Sequence, residues 1–208
     1  MKTGLKQTLL FGAMILQAAI LTCCAGKSGA GNGTAEQKSQ DAKTATDKAP
    51  NYLITAKGAG DFVLGKEAPA SVAGYEIKKE LKDGEEGTED MITVLYEKGE
   101  KALEIISDDS KVFYPEIIVY SDKYHTDKGA KTGTTLDELV KMYPKYSLWF
   151  SYISDWFTFT PEETERIQFR LDSKGFTGKE DSLYRSDRIE LSLKDFKPDT
   201  KVIAIRIY

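Results

Sequence analysis

Short β-forming runs limit the kind of fold that this chain can adopt. Beyond residue 50, runs rich in Val, Ile, Tyr and Phe alternate with turn residues, as in Ile203, Ile205 and Ile207 of the last run. A parallel sheet needs a crossover helix between successive strands, and most connections here are too short to hold one. We therefore predict a single α+β domain over residues 51–208, with a mainly antiparallel β-sheet of about eight or more strands and one or two short helices.

Local signals define the clearest elements. Residues 91–97 and 102–107 predict a hairpin whose loop contains Gly99. Thr135 followed by Glu138 forms a capping-box pattern, which predicts a helix that begins after Thr135 and ends before Pro144. A turn is expected at 58–61. The remaining predicted strands are 52–56, 62–64, 75–81, 117–120, 146–153, 156–160, 166–171, 188–193 and 201–208.

The N-terminus carries the features of an export signal. Lys2 and Lys6 form a positive segment, and residues 9–21 are apolar apart from Gln17. This apolar run is shorter than the roughly 20 residues that a membrane-crossing helix needs. Residues 1–23 are therefore predicted to be a signal peptide and not a permanent membrane span.

The signal ends in Leu21-Thr22-Cys23-Cys24, and this ending resembles the lipobox of bacterial lipoproteins. Cys24 fits as the lipidated residue, because Leu21 then holds the branched position and a small residue precedes the cleaved bond. Cys23 is the alternative, although it puts Leu21 where a small residue is preferred. The resemblance implies a cell-envelope protein that is lipid-anchored to a bacterial membrane, expected to be the outer membrane. An ordinary secreted protein is the other interpretation.

Residues 24–50 are predicted to be a disordered linker behind the lipid anchor. After Cys24 this segment has no Val, Ile, Leu, Met or aromatic residue, so it cannot bury enough apolar surface to offset chain entropy. Loss of the signal lowers Lys+Arg from 29 to 27 against 33 Asp+Glu, which gives a net charge of −6. This acidic balance argues against a nucleic-acid partner.

A second resemblance lies in the middle of the domain. The run 117–121, the glycine-containing turn 129–135, residues 137–139 and Tyr143-Pro144 resemble a strand, turn and short helix that recur in small bacterial envelope lipoproteins. The sigma-E-regulated lipoproteins of unknown function are a group of this kind. The resemblance implies an envelope location and no particular activity.

The residues that commonly carry catalysis are scarce. His125 is the only histidine, and no cysteine follows Cys24. Lys131-Thr132-Gly133 matches one box of the penicillin-binding proteins but lacks the Ser-x-x-Lys partner. We therefore predict no catalytic constellation, no metal site and no cofactor. The enzyme alternative is a hydrolase of an envelope polymer that pairs Asp155 with Glu162 or Glu163.

Aromatic residues concentrate between positions 143 and 159. We predict a possible ligand platform for a glycan or an envelope protein, formed by Tyr146, Trp149, Tyr152 and Trp156. The alternative is that these rings fill the space between sheet and helix. The sequence as a whole favours a membrane-tethered, non-catalytic binding or assembly module, with the hydrolase or a glycan-binding protein as alternatives.

Overall fold

The structure is a computed structural model that describes residues 51–83 and 87–208. The predicted signal peptide, the two candidate lipidation sites Cys23 and Cys24, and the predicted linker 24–50 lie outside the described residues. The described chain contains a nine-stranded antiparallel sheet, a three-stranded antiparallel sheet and one α-helix. The predicted α+β class with a mainly antiparallel sheet is therefore confirmed.

The elements follow one another with short connections. In chain order they are β1 (Ile54–Thr55), β2 (Gly58–Ala59), β3 (Phe62–Val63), β4 (Glu76–Asp83), β5 (Glu89–Glu97), β6 (Glu100–Ile106), β7 (Glu116–Val119), α1 (Leu136–Met142), β8 (Tyr146–Ser151), β9 (Trp156–Pro161), β10 (Ile167–Leu171), β11 (Arg188–Glu190) and β12 (Val202–Ile207). Short 3-10 helices occupy Glu162–Thr164, Ser173–Gly175, Glu180–Ser182 and Leu193–Asp195. None of the described helices is long and apolar enough to cross a bilayer.

The large sheet runs in the order β11-β8-β9-β10-β12-β7-β6-β5-β4. The C-terminal strand β12 lies between β10 and β7, where Ile205 opposes both Phe169 and Val119. The last strand of the chain thus joins two groups of strands that are formed by local hairpins.

Period-two alternation divides the large sheet into two faces. On the inner face, Phe159, Phe169 and Ile205 are fully buried in a core that also contains Leu139 of α1 and Phe62 of the small sheet. The side chains between them point to the opposite side, which we call the outer face. Because β10 alternates apolar and polar residues, its Gln168 and Arg170 belong to the outer face.

The helix forms where its capping pattern predicts. The Thr135 hydroxyl accepts a hydrogen bond from the Glu138 N–H at 3.3 Å, and the Glu138 carboxylate accepts one from the Thr135 N–H at 2.8 Å. These bonds lower the pKa of Glu138, because they favour its charged form. Leu136 and Leu139 then bury the apolar side of the helix against the inner face.

Two predicted boundaries are wrong for local reasons. The expected turn 58–61 is partly a strand, because Gly58 and Ala59 pair with both β1 and β3, and only Gly60 and Asp61 turn. The expected strand 188–193 ends at Glu190. There Ser192 and Asp195 form a second capping box, which folds the chain into a 3-10 helix.

Candidate functional site

The outer face carries charged side chains on the neighbouring strands β6, β7 and β12. Glu104 of β6 and Glu116 of β7 are each only 8% exposed. Ile118 of β7 lies opposite Glu104 of β6 on one side and opposite Arg206 of β12 on the other. The two acids and this arginine therefore lie on three consecutive strands of the sheet. A buried carboxylate is costly unless it is paired, which makes the partners of these two residues the main question.

Cations hold both carboxylates. The Lys82 Nζ lies 3.2 Å from Glu116 Oε1 and 3.9 Å from Glu104 Oε2. Arg206 Nε donates to Glu116 Oε2 at 2.6 Å, and Lys101 Nζ donates to Glu104 Oε1 at 2.5 Å. Each buried acid is therefore shared by two basic side chains, in a network that joins β4, β6, β7 and β12.

The charge of Glu104 affects its neighbours. Burial, followed by the negative charge of Glu104, raises the pKa of Tyr120 well above its ordinary value. Burial alone would lower the pKa of Lys101, but the hydrogen bond and charge of Glu104 outweigh it and raise that pKa. Tyr120 and Lys101 therefore keep their protons throughout the physiological pH range.

Arginine side chains stack on tryptophan rings next to this network. The guanidinium carbons of Arg170 and Arg206 lie 4.7 Å and 5.9 Å from the centre of the Trp156 ring. Farther along the outer face, Arg188 lies 4.5 Å from the centre of the Trp149 ring. These are cation–π contacts, and they fix the guanidinium planes against the aromatic rings.

A groove of about 690 Å³ opens on the outer face between two loops. Its charged lining residues are Lys82, Asp83, Glu116 and Arg206. Its other lining residues come from the β6–β7 connection, from the β8–β9 turn, and from strand ends: Thr88, Val112, Phe113, Tyr114, Ile153, Ser154 and Trp156. The groove thus combines aromatic surface with several hydrogen-bonding groups, as small-molecule sites commonly do.

Asp90 of β5 holds the β6–β7 connection in place through hydrogen bonds. Asp90 accepts hydrogen bonds from the Ser110 hydroxyl at 2.8 Å and from the Lys111 N–H at 3.1 Å. These bonds lower the pKa of Asp90. The Ser110 hydroxyl in turn accepts from the Phe113 N–H at 3.0 Å. These hydrogen bonds therefore fix the start of the segment that carries Phe113 and Tyr114 to the groove.

A second cleft of about 540 Å³ adjoins the groove and shares Tyr114 and Arg206 with it. Its lining also includes Arg166 and Tyr208. The Tyr114 side chain between the two is 89% exposed. The two cavities therefore meet at Tyr114 and Arg206, and the second cleft also includes Leu64 and Gly65 beside the small sheet.

The four predicted platform residues do not share one surface. Tyr146 lies on the inner face, partly buried against the core and stacked on Phe159 with a centroid distance of 4.6 Å. Trp149 and Trp156 lie on the outer face, and Tyr152 lies in the β8–β9 turn. The physical reason is the period of the strand: residues 146 and 149 differ by an odd number and must face opposite sides. Ligand binding at the remaining positions stays a prediction.

The carboxylates of the hydrolase alternative are not brought together. Asp155 and Glu162 flank opposite ends of β9, so roughly 20 Å of extended chain separates them. Glu163 instead pairs with Lys128.

A closer pair of carboxylates exists on the outer face. The Lys82 ammonium contacts both Glu104 and Glu116, at 3.9 Å and 3.2 Å. A glycosidic bond held by these two carboxylates would have to displace this ammonium group. This pair is therefore an ionic network and does not have the open arrangement of a hydrolytic pair.

The other residues considered for chemistry have structural surroundings. His125 is exposed, and its Nδ1 lies 2.9 Å from the Thr126 carbonyl oxygen. Lys131 begins a turn in which its N–H donates to the Thr134 hydroxyl at 3.0 Å. Within residues 51–83 and 87–208, no group of three His, Cys, Asp or Glu side chains is arranged to hold a metal ion.

Sequence reasoning missed the residues that define the outer face. Glu104, Glu116 and Arg206 are single charges in or beside the apolar runs of β6, β7 and β12. A charged residue at a strand position that alternates with the core-facing residues is a usable signal, because it marks a sheet face that the apolar core does not cover.

Comparison with known proteins finds no family and a distant structural neighbour. No protein-family model matches the sequence, and the search of curated proteins finds no relative. Among solved structures, the chain is similar to the uncharacterized protein yfeY from Escherichia coli. The two are 18% identical, with a TM-score of 0.47 over 64% of this chain and 81% of that chain.

Proposed function

We propose that this chain is a membrane-tethered lipoprotein of the bacterial cell envelope whose domain is a non-catalytic binding or assembly module. The observation that carries the binding role is the groove of about 690 Å³ on the outer face. Its volume is in the range of small-ligand sites, and aromatic and charged side chains line it together. An envelope glycan or an envelope protein is the proposed class of partner.

The anchor is supported by the sequence. Leu21-Thr22-Cys23-Cys24 ends an export signal, and the segment up to residue 50 has the composition of a flexible tether. A tether of this kind would let the groove reach partners near the membrane surface. Lipid on Cys24 and placement in the outer membrane are parts of the proposal.

The anchor is tested by labelling in a bacterial host with an alkyne palmitate analogue, followed by membrane fractionation. We expect the wild-type chain and Cys23→Ser to carry label and to sediment with membranes. Cys24→Ser should lose both the label and the membrane association, because the proposed acceptor thiol is replaced by a hydroxyl group. Retention of label in Cys24→Ser with loss in Cys23→Ser would move the anchor to Cys23, and label in neither wild type nor variant would refute the lipoprotein.

The binding role is tested by site-specific photocrosslinking in intact cells. A photoreactive residue at Ile153, which lines the groove and is 67% exposed, should give a discrete adduct. The matched control is Leu193, which is 40% exposed and lies outside the groove lining. Equal adducts at both positions, or none at Ile153, would contradict a binding role for the groove.

A further inference from the structure

The second cleft, which adjoins the groove, has mostly apolar walls. Four of its lining residues have aliphatic or aromatic side chains, namely Leu64, Tyr114, Pro115 and Tyr208. The Tyr114 side chain is 89% exposed, so most of its ring surface is open to a ligand. The volume of about 540 Å³ lies in the range of small-ligand sites. These walls favour a ligand with an apolar body.

Hydrogen bonds hold one wall of this cleft in place. The Tyr208 hydroxyl donates to the Glu165 carbonyl oxygen at 2.9 Å and lies 3.0 Å from Gln168 Nε2, which donates to it. The Arg206 guanidinium carbon lies 4.9 Å from the centre of the Tyr208 ring, while Arg206 Nε donates to Glu116 at 2.6 Å. This wall is therefore ordered before a ligand binds, which lowers the entropy cost of binding.

The same cleft contains guanidinium donors that the described part of the chain does not use. The Arg166 side chain lines the cleft, and it has no hydrogen bond or ion pair with any described residue. Arg206, in the same lining, donates only through Nε, so its terminal N–H groups also lack described acceptors. A guanidinium group binds a carboxylate through two parallel hydrogen bonds. The cleft thus places free cationic donors beside apolar walls.

Asp108 limits the charge that the ligand can carry. Its carboxylate lines the cleft next to Gly65, where an added Cβ would come within 2.6 Å of both carboxylate oxygens. Among the described residues, Asp108 forms no ion pair with Arg166 or Arg206, so its charge is not neutralised by them. This carboxylate repels a doubly charged group more strongly than a singly charged one. The lining therefore favours a carboxylate over a phosphate.

We infer that the second cleft binds an acyl monocarboxylate, a linear hydrocarbon chain that ends in one carboxylate. The carboxylate accepts hydrogen bonds from Arg166, with Arg206 as a second attracting charge, and the chain lies against Leu64, Tyr114 and Pro115. A flexible chain can follow walls that come from separate segments of the protein, whereas a rigid ring contacts only part of them. This site is separate from the binding role proposed for the groove, because Arg166 and Leu64 line only the cleft.

Titration calorimetry of the full chain in phospholipid nanodiscs tests the inference, with empty nanodiscs as the blank for partition into lipid. The probes are octanoate, hexanoate, octanol, octyl phosphate and 2-naphthoate. We expect saturable binding of octanoate at one site per chain, with octanol at least ten-fold weaker because it carries no charge. Hexanoate should bind about four- to fifteen-fold more weakly than octanoate, since it buries two fewer methylene groups.

Three variants of charged residues locate the carboxylate. Arg166→Gln should weaken octanoate binding at least ten-fold and leave octanol binding unchanged. Arg185→Gln is the matched control, because Arg185 is also exposed but lies outside the lining of both cavities. Octyl phosphate should bind the wild type at least three-fold more weakly than octanoate. Asp108→Asn should narrow this difference, because it removes the repelling charge.

Two variants of apolar residues separate the cleft from the groove. Tyr114 lines both cavities, whereas Ile153 lines only the groove. Tyr114→Ser should therefore weaken octanoate binding at least three-fold, and Ile153→Ser should leave it unchanged. The two side chains are 89% and 67% exposed, so neither substitution removes a core contact on which folding depends.

Several results would overturn the inference. Octanol or octyl phosphate binding as tightly as octanoate would show that the carboxylate is not recognised, and tighter binding of 2-naphthoate would indicate an aromatic ligand. Equal losses in Arg166→Gln and Arg185→Gln, or in Tyr114→Ser and Ile153→Ser, would place the ligand elsewhere. Absence of saturable octanoate binding would remove the site, and a discrete crosslinked adduct at Ile153 would in that case leave the binding role of the groove intact.

Discussion

Glu116→Gln tests whether the buried charge network stabilises the sheet. The substitution keeps the shape of the side chain but removes the charge that Lys82 and Arg206 share. Breaking a fully buried ion pair by removing one partner costs about 3–5 kcal/mol. Here the side chains of Lys82 and Arg206 are 28% and 32% exposed, so water can partly solvate the cations that remain. We therefore expect a loss of about 2 kcal/mol in the free energy of unfolding.

Urea denaturation and thermal unfolding, followed by circular dichroism, measure this loss. For a domain of this size, a loss of about 2 kcal/mol corresponds to a fall in Tm of roughly 4–8 °C. Glu190→Gln is the matched control, because Glu190 accepts from Arg188 at 2.8 Å on the same face but its side chain is 65% exposed. The control should change the free energy of unfolding by less than about 0.5 kcal/mol.

A double-mutant cycle with Lys82→Met isolates the pairwise contribution. Lys82→Met removes one cation from both carboxylates, so its effect should be smaller in the Glu116→Gln background than in the wild type. The reasoning is refuted if Glu116→Gln matches the control, or if it stabilises the domain. The first result would mean that the desolvation of Glu116 cancels its attraction to the two cations, and the second that desolvation outweighs this attraction.

Two further predictions concern the core and the helix. Phe159→Ala should lower the free energy of unfolding by about 3–5 kcal/mol in urea denaturation, because the ring is fully buried and stacks on Tyr146; a loss no larger than that of the exposed control Leu193→Ala would contradict this packing. Glu138→Gln should be less stable than the wild type at neutral pH, with a difference that narrows as the pH falls below about 4.3. The pKa of Glu138 is lowered in the folded state, so the ionised carboxylate stabilises the fold and this stabilisation is lost when Glu138 is protonated. A difference in stability between Glu138→Gln and the wild type that does not depend on pH would rule out the carboxylate cap.

The local elements were predictable because their signals are local. The capping box of α1 requires only Thr135 and Glu138, and both bonds form as the sequence indicates. The β5–β6 hairpin follows from two β-forming runs around a short loop, in which Gly99 adopts a positive φ of 84°. Each prediction depends on residues that are near one another in the chain.

The outer-face site was not predictable because it depends on strand order. Glu116 and Arg206 are far apart in sequence, and they meet only because β12 pairs with β7. Alternation shows which side a residue faces but does not show which strands are neighbours. The same limitation applies to the tryptophans, since Trp156 meets Arg170 and Arg206 only after β9, β10 and β12 are in place.

The two edges of the large sheet bear on how the protein behaves when many copies are close together. The edge strand β4 has the sequence EIKKELKD, in which charged residues fill most positions, and the other edge strand, β11, is only three residues long. An exposed edge can pair with the edge of another copy, and closely spaced charges or a very short strand oppose this. The edges of the described large sheet are therefore protected against joining the sheets of neighbouring copies into aggregates.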